Sequence, residues 1–224
     1  MLFLMKWKCL DAARVDAFTL FGSMDEAADA AEMGPNVKLH GRYHRLGNSG
    51  GWLVAEAANA SDVLNWVYNW SEGACDIDVT PVTDDDTTRE VILKKEPEWK
   101  ADYHRSMPEP LECESMFAAE YSFYPGCKVD GQQAFANLTK EADTGDSGAC
   151  TPFGRWHDLG RGTGLVIASA KSEKDLHLWA NNWTPLCEVQ WHAVVTDKGA
   201  RAIISGKPQF AAKLKATQEK LGIA

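Results

Sequence analysis

No apolar run in this 224-residue sequence approaches the ~20 residues that cross a bilayer. The opening stretch, Met1-Leu2-Phe3-Leu4-Met5-Lys6-Trp7-Lys8, is too short for a signal-peptide core and soon becomes charged, so it is expected to be a first strand, with no membrane insertion. Clustered Lys and Arg are also missing. No basic stripe carries interleaved aromatics, and the net charge of -9 argues against a nucleic-acid partner, because a phosphate backbone needs concentrated positive charge. The same charge favours solubility or a basic partner. Six cysteines, at positions 9, 75, 113, 127, 150 and 187, form no Cys-x-x-Cys pair and no zinc-type spacing with histidine. That excludes the usual structural zinc sites, and reduced structural thiols inside a cell are expected. Gly-x-x-x-x-Gly-Lys-Ser/Thr, Gly-x-Gly-x-x-Gly after a strand, and Gly-x-Ser-x-Gly are all absent, so no cofactor is expected. Arg161-Gly162-Thr163-Gly164 reads only as a hairpin turn.

What is present is a repeat. Gly41-Arg42-Tyr43-His44-Arg45-Leu46-Gly47 reads against Gly154-Arg155-Trp156-His157-Asp158-Leu159-Gly160, and Asp62-x-x-x-Trp66-x-x-Asn69-Trp70 against Asp175-x-x-x-Trp179-x-x-Asn182-Trp183. The spacing is 113 residues, from Gly41 to Gly154, and carries ungapped to Thr83-Asp84 against Thr196-Asp197. Leu2-Phe3 meets Met116-Phe117 and Trp7 meets Tyr121 at a spacing of 114, so one residue has been gained or lost before Gly41.

Each copy predicts the order β-α-β-β-α-β. In the first, strands are expected at 2–8, 37–46, 51–57 and 75–83. A helix spans 14–32, a second opens at Ser61 or Asp62, and Gly47-Asn48-Ser49-Gly50 makes a hairpin turn. In the second, strands fall near 115–123, 150–160, 163–170 and 187–196. The fold class is α+β: two tandem ferredoxin-like domains with pseudo-twofold symmetry, resembling a dimeric α/β barrel. The boundaries are 1–94 for the first repeat, 95–112 for a proline-bearing linker, 113–206 for the second repeat and 207–224 for a C-terminal arm. Two helices on one sheet face leave the other face bare, to be covered by the second copy or by other chains.

Arg42 with His44, and Arg155 with His157, stand two residues apart on a strand and point to one sheet face. Such a pair can form an anion or acid–base site; the expected reading is an interface, with these groups bonded to carboxylates or backbone. Tyr43 and Trp156 lie between them. Trp66 with Trp70, and Trp179 with Trp183, form ridges one helical turn apart, which fill cores and interfaces more often than they stack a ligand. Asn69 and Asn182 accompany the ridges and can bond a neighbouring backbone. Leu221 and Ile223 give the arm an apolar end. The run Thr83-Asp84-Asp85-Asp86-Thr87 lacks the glycine and distal glutamate of a calcium loop and is expected to be a solvated turn. No catalytic, cofactor-binding or metal-binding set is expected.

The Leu-Phe strand, the Gly-Arg-Tyr/Trp-His segment and the Asp-x-x-x-Trp-x-x-Asn-Trp helix resemble a small domain of unknown function from marine cyanobacteria and algae. A tandem pair is similar to the diatom pyrenoid shell (PyShell) proteins. That resemblance implies a structural protein, not an enzyme. It would self-assemble as an extended homo-oligomer, a sheet or tube, around the Rubisco condensate at the pyrenoid periphery in the chloroplast stroma, supporting CO2 concentration. Without it, a soluble intracellular protein is expected. The alternative is a small-ligand-binding protein or cofactor-independent enzyme of the dimeric α/β-barrel type, its cleft between the sheets and lined by Arg42, His44, Arg155 and His157.

Overall fold

The structure, a computed structural model, describes residues 1–99, 115–144 and 150–222. The chain divides into two compact units, one of Met1–Thr80 with Val195–Ala224, the other of Pro81–Val194. Each is an α+β unit of the ferredoxin-like kind.

In the first unit, β1 (Leu2–Cys9), α1 (Arg14–Ser23), α2 (Glu26–Met33), β2 (Val37–Arg45), β3 (Gly50–Ala57), α3 (Ala60–Ser71) and the start of β4 (Cys75–Asp84) follow in order. The strands are arranged β2-β3-β1-β4. Alternation puts Phe3, Met5, Leu53, Ala55 and Ala57 on one face, where Val63, Trp66 and Val67 of α3 cover them. The expected helix at 14–32 is two helices. Asp25 ends the continuity, because its carboxylate accepts the Ala28 N–H at 2.8 Å and caps α2. Asn59, not Ser61 or Asp62, caps α3 by accepting the Asp62 N–H at 3.1 Å.

The second unit begins with the end of β4, where Thr83 pairs with His157 and Asp84 with Trp156. It continues with α4 (Asp85–Lys95), β5 (Met116–Phe123), α5 (Lys128–Ala136), α6 (Lys140–Thr144), β6 (Cys150–Asp158), β7 (Thr163–Ala170), α7 (Glu173–Asn181) and β8 (Cys187–Thr196). Its strands run β6-β7-β5-β8, the same order as in the first unit. Ala119, Val166, Ala168 and Ala170 pack beneath Leu176 and Trp179 of α7.

The chain then returns to the first unit as α8 (Asp197–Ser205) and α9 (Pro208–Leu221). Each unit is thus completed by the helix that follows the other repeat's last strand. The acidic run at 83–87 is not a solvated turn. Asp84 accepts the Thr87 N–H at 2.8 Å and caps α4, Asp85 and Asp86 occupy the first turn, and Lys94 and Lys95 the last, a charge order matched to the helix dipole. In the first unit Phe21 and Met24 of the α1 end pack with Ala200, Ile204 and Leu214. Gly22 permits this, since a Cβ there would stand 2.7 Å from the Ile204 side chain. Most of the expected linker lies outside the described residues, though Trp99 packs on the cluster of Ile92 and Phe135.

Candidate functional site

The Gly-Arg-aromatic-His segment sets the site. The register of β2 against β3 slips between Leu39 and Gly41, and that of β6 against β7 between Pro152 and Gly154, a bulge that re-aims the following side chains. Glycine is required next to it, because a Cβ at Gly41 would stand 2.5 Å from the Tyr43 hydroxyl and one at Gly154 2.5 Å from the Trp156 ring. The aromatic residue takes one sheet face, and Arg and His take the face that carries the helices.

In the first unit Arg42 donates to both oxygens of Asp29 on α2, at 3.1 and 3.2 Å, and to Asp197 of α8 at 3.0 Å. His44 Nε2 meets Asp197 at 2.7 Å. Arg201, one turn along α8, donates to Asp29 at 3.2 Å and to the carbonyls of Phe21 and Met24. The Phe21 ring lies between the two guanidiniums, 4.1 Å from Arg201 and 5.4 Å from Arg42.

The second unit repeats this arrangement. Arg155 donates to Asp143 of α6 and to Asp85 of α4, the latter at 3.3 Å. His157 Nε2 meets Asp85 at 2.9 Å, and Arg89 lies 3.9 Å from the same carboxylate. Phe135 stands between Arg89 and Arg155, at 4.3 and 5.5 Å. Here the other imidazole nitrogen is also held, with the Tyr121 hydroxyl 2.6 Å from His157 Nδ1.

Burial pushes both histidines below their ordinary 6.5, against the pull of the hydrogen-bonded carboxylate, so both rings are neutral at pH 7. A carboxylate can only accept, so the imidazole proton sits on Nε2 and Nδ1 offers its lone pair, into which Tyr121 donates. Burial also raises the Tyr121 phenol, which stays protonated. Burial pushes Asp85 upward, but Arg155, the His157 hydrogen bond and Arg89 outweigh it and hold the carboxyl at about 2. Each cluster therefore sets two arginines against two aspartates.

Beside each cluster lies a cavity between sheet and helices. In the first unit it has about 60 Å³ and is walled by Trp7, Phe21, His44, Leu53, Trp66 and Ile77 among others. In the second it has about 40 Å³ and is walled by Tyr121, Phe123, Phe135, His157, Trp179 and Val189 among others. Both linings are almost wholly apolar.

Of the residues singled out in the sequence, Arg42, Tyr43, Trp66, Arg155, Trp156, His157 and Trp179 are buried, and His44, Trp70 and Trp183 are half-buried. Arg42, His44, Trp66 and Trp70 meet around the first cavity, and Arg155, His157, Trp179 and Trp183 around the second. The four Arg and His residues are thus divided between two cavities, Arg42 and His44 at the first and Arg155 and His157 at the second. Asn69, although exposed, donates to the Glu32 side chain at 3.0 Å; Asn182 and Leu221 are exposed, and Ile223 lies outside the described residues. Among the described residues no group of three or more His, Cys, Asp or Glu is placed to hold a metal, and no helix is long and apolar enough to cross a membrane.

The aspartates and the second arginines escape sequence reading. The ungapped spacing of 113 sets Asp84 opposite Asp197, whereas four residues separate Trp70 from Cys75 and three separate Trp183 from Cys187. With that gap the spacing becomes 112, and Asp85-x-x-x-Arg89-x-x-Ile92 matches Asp197-x-x-x-Arg201-x-x-Ile204. Phe21 with Asp29 likewise matches Phe135 with Asp143 at a spacing of 114.

A family described as a domain of unknown function (DUF3303) matches residues 1–96 and again 115–208. No curated protein matches the chain in sequence. Among solved structures, the chain is similar to a Lactobacillus acidophilus NCFM protein proposed as a monooxygenase, at 10% identity and a TM-score of 0.48, over 88% of this chain and 93% of that one. It is similar also to a dye-decolorizing peroxidase from Bacteroides thetaiotaomicron, at 9% identity and a TM-score of 0.48, over 90% and 94%. None of these is a pyrenoid shell protein, which corrects that expectation, together with the self-assembly around a Rubisco condensate, the chloroplast location and the carbon-concentrating role it implied. The physical reason is that the shared Arg, His and Trp side chains are spent inside each unit, on ion pairs and cavity walls, rather than offered as tiling surfaces. The chain belongs to the DUF3303 family and carries its domain twice.

Proposed function

We propose that the protein binds small apolar ligands, one in each unit, in the cavities beside the Arg–His–Asp clusters. The observation that carries this is the pairing of an almost wholly apolar, partly enclosed cavity with a histidine kept neutral at its wall, the combination expected of a ligand pocket. Among the described residues, the arginines beside each cavity face aspartates rather than a place where charge would develop in a reaction. That supports binding rather than catalysis. Volume limits the ligand. A cavity of about 150 Å³ admits benzene, so cavities of about 60 and 40 Å³ suit slimmer molecules or the end of a chain. The test is saturable binding of 1-chloropropane followed by NMR, with two sites expected. Ala17→Leu should fill the first cavity and Ala119→Leu the second, each removing one site. Non-saturable behaviour, or binding untouched by either substitution, would sink the reading.

A further inference from the structure

The two pockets differ at one place. Trp7 of β1 pairs with Gly51 and Tyr121 of β5 pairs with Gly164, so the two side chains occupy equivalent positions over the equivalent histidines. The Tyr121 hydroxyl donates to His157 Nδ1 at 2.6 Å. The Trp7 and His44 rings meet edge to face, with centroids 5.3 Å apart, and no hydrogen bond joins them. The Trp7 indole N–H is fully buried and does not open onto the cavity. Asp197 holds His44 by Nε2 at 2.7 Å, and no described residue bonds the other nitrogen, whose lone pair is free to accept. The first cavity thus holds an unused acceptor in an otherwise apolar wall. In the second unit a phenol of the chain itself fills the acceptor.

We infer that the first unit's pocket takes the hydroxyl end of a slim aliphatic alcohol. The hydroxyl donates to His44 Nδ1, as Tyr121 does to His157. This rests on the pocket reading above. A hydroxyl supplies the donor that this nitrogen lacks, which ketones, halides and thioethers do not. The carbon chain lies along Met5, Leu53, Val67 and Ile77. A phenol is excluded by size, because about 60 Å³ is well below the ~150 Å³ that admits an aromatic ring.

The test titrates the intact chain with 1-propanol and 1-chloropropane at millimolar concentration. They match in heavy-atom count, but only the alcohol can donate a hydrogen bond. Imidazole nitrogen resonances report the result. The alcohol should bind about three- to tenfold more tightly, the range of one neutral hydrogen bond, and move His44 Nδ1 toward the position His157 Nδ1 already holds, leaving His157 unmoved. Trp7→Phe, which leaves the His44 acceptor in place, should keep that preference. Trp7→Tyr should shift His44 Nδ1 without any alcohol. Equal affinity for the two compounds overturns the inference and leaves the apolar pocket standing; failure of both to bind overturns the pocket as well. A His44 Nδ1 resonance that is hydrogen-bonded before any addition and unmoved by 1-propanol also overturns it, since water then holds the place. If a Trp7 variant does not fold, the wild-type comparison of the two compounds still decides.

Discussion

In the first unit Trp7, Cys9 and Ala17 stand where the second has Tyr121, Phe123 and Gly131, while Phe, Arg, His and the paired aspartates recur around both histidines. Cys9 and Cys75 meet with their sulfurs 3.5 Å apart; in the second unit Phe123 pairs with Cys187. The floor of the pocket is common and its upper wall is not. The physical reason lies in the cost of each change. Losing one member of a buried ion cluster strands a charge, whereas trading one apolar wall residue for another needs only a compensating change in volume. The floor is therefore the part of the duplicated unit least free to diverge, and the wall is where two pockets of one origin can acquire different occupants.

The largest effect is expected from the carboxylate shared by arginine and histidine. The Asp85 side chain is 5% exposed and its counterpart Asp197 24% exposed. Asp85→Ala removes the carboxylate that faces Arg155, His157 and Arg89 and should cost about 3–5 kcal/mol. Asp197→Ala, where water reaches the site, should cost about 1–3 kcal/mol. Urea unfolding of the two variants measures the gap, and equal losses would break the claim that the second cluster is the drier.

These two aspartates also mark how far sequence reasoning reaches. The order β-α-β-β-α-β, the hairpin after each Arg–His strand and the pairing of Arg42 with His44 follow from two-residue alternation and the repeated motif, which are local. The helices at 85–95 and 197–205 do not. Asp84, Asp85 and Asp86 in a row read as a polar turn until it is known that the first caps a helix and the second is buried under Arg155. Asp29 and Asp143 come from helices whose placement only the tertiary fold supplies. The single-residue gap before Cys75 and Cys187 hides the remaining match.

Acid should reduce stability next most strongly. Both histidines have folded pKa values below the ordinary 6.5, so below that pH the unfolded chain takes up protons first. Their contribution is complete above about pH 6.5 and is lost as the pH falls toward the folded pKa, by at most about 1.4 kcal/mol per pH unit for each ring. Asp85, held at about 2, acts in the same direction at pH values below its ordinary range. The groups facing His157 are Asp85, Arg155, Arg89 and Tyr121, and those facing His44 are Asp197, Arg42 and Arg201. Thermal unfolding between pH 8 and 5 should show the slope. His44→Gln and His157→Gln should each flatten it, and a slope untouched by either would exclude the histidines as its source.

A smaller effect tests the compensation in the wall. A Cβ at Gly131 would stand 2.2 Å from the Phe123 ring, so Gly131→Ala should cost about 1–3 kcal/mol by overpacking. Adding Phe123→Cys recreates the Cys9–Ala17 pair of the first unit and should restore much of the loss, with a coupling above about 0.5 kcal/mol in the double-mutant cycle. Simple additivity would mean that the two positions changed independently.

The smallest expected effect is that of one oxygen atom. Tyr121→Phe keeps the ring over Gly164 and removes the hydrogen bond to His157, leaving a buried nitrogen unsatisfied, at a cost of about 1 kcal/mol. It should not turn the second pocket into a copy of the first, because the cavity has about 40 Å³ rather than 60 and Phe123 still fills the place that Cys9 leaves open. The variant should therefore show a freed His157 Nδ1 resonance, slightly lower stability and no gain in 1-propanol affinity. A gain would mean that the hydroxyl alone, and not the volume behind it, separates the two pockets.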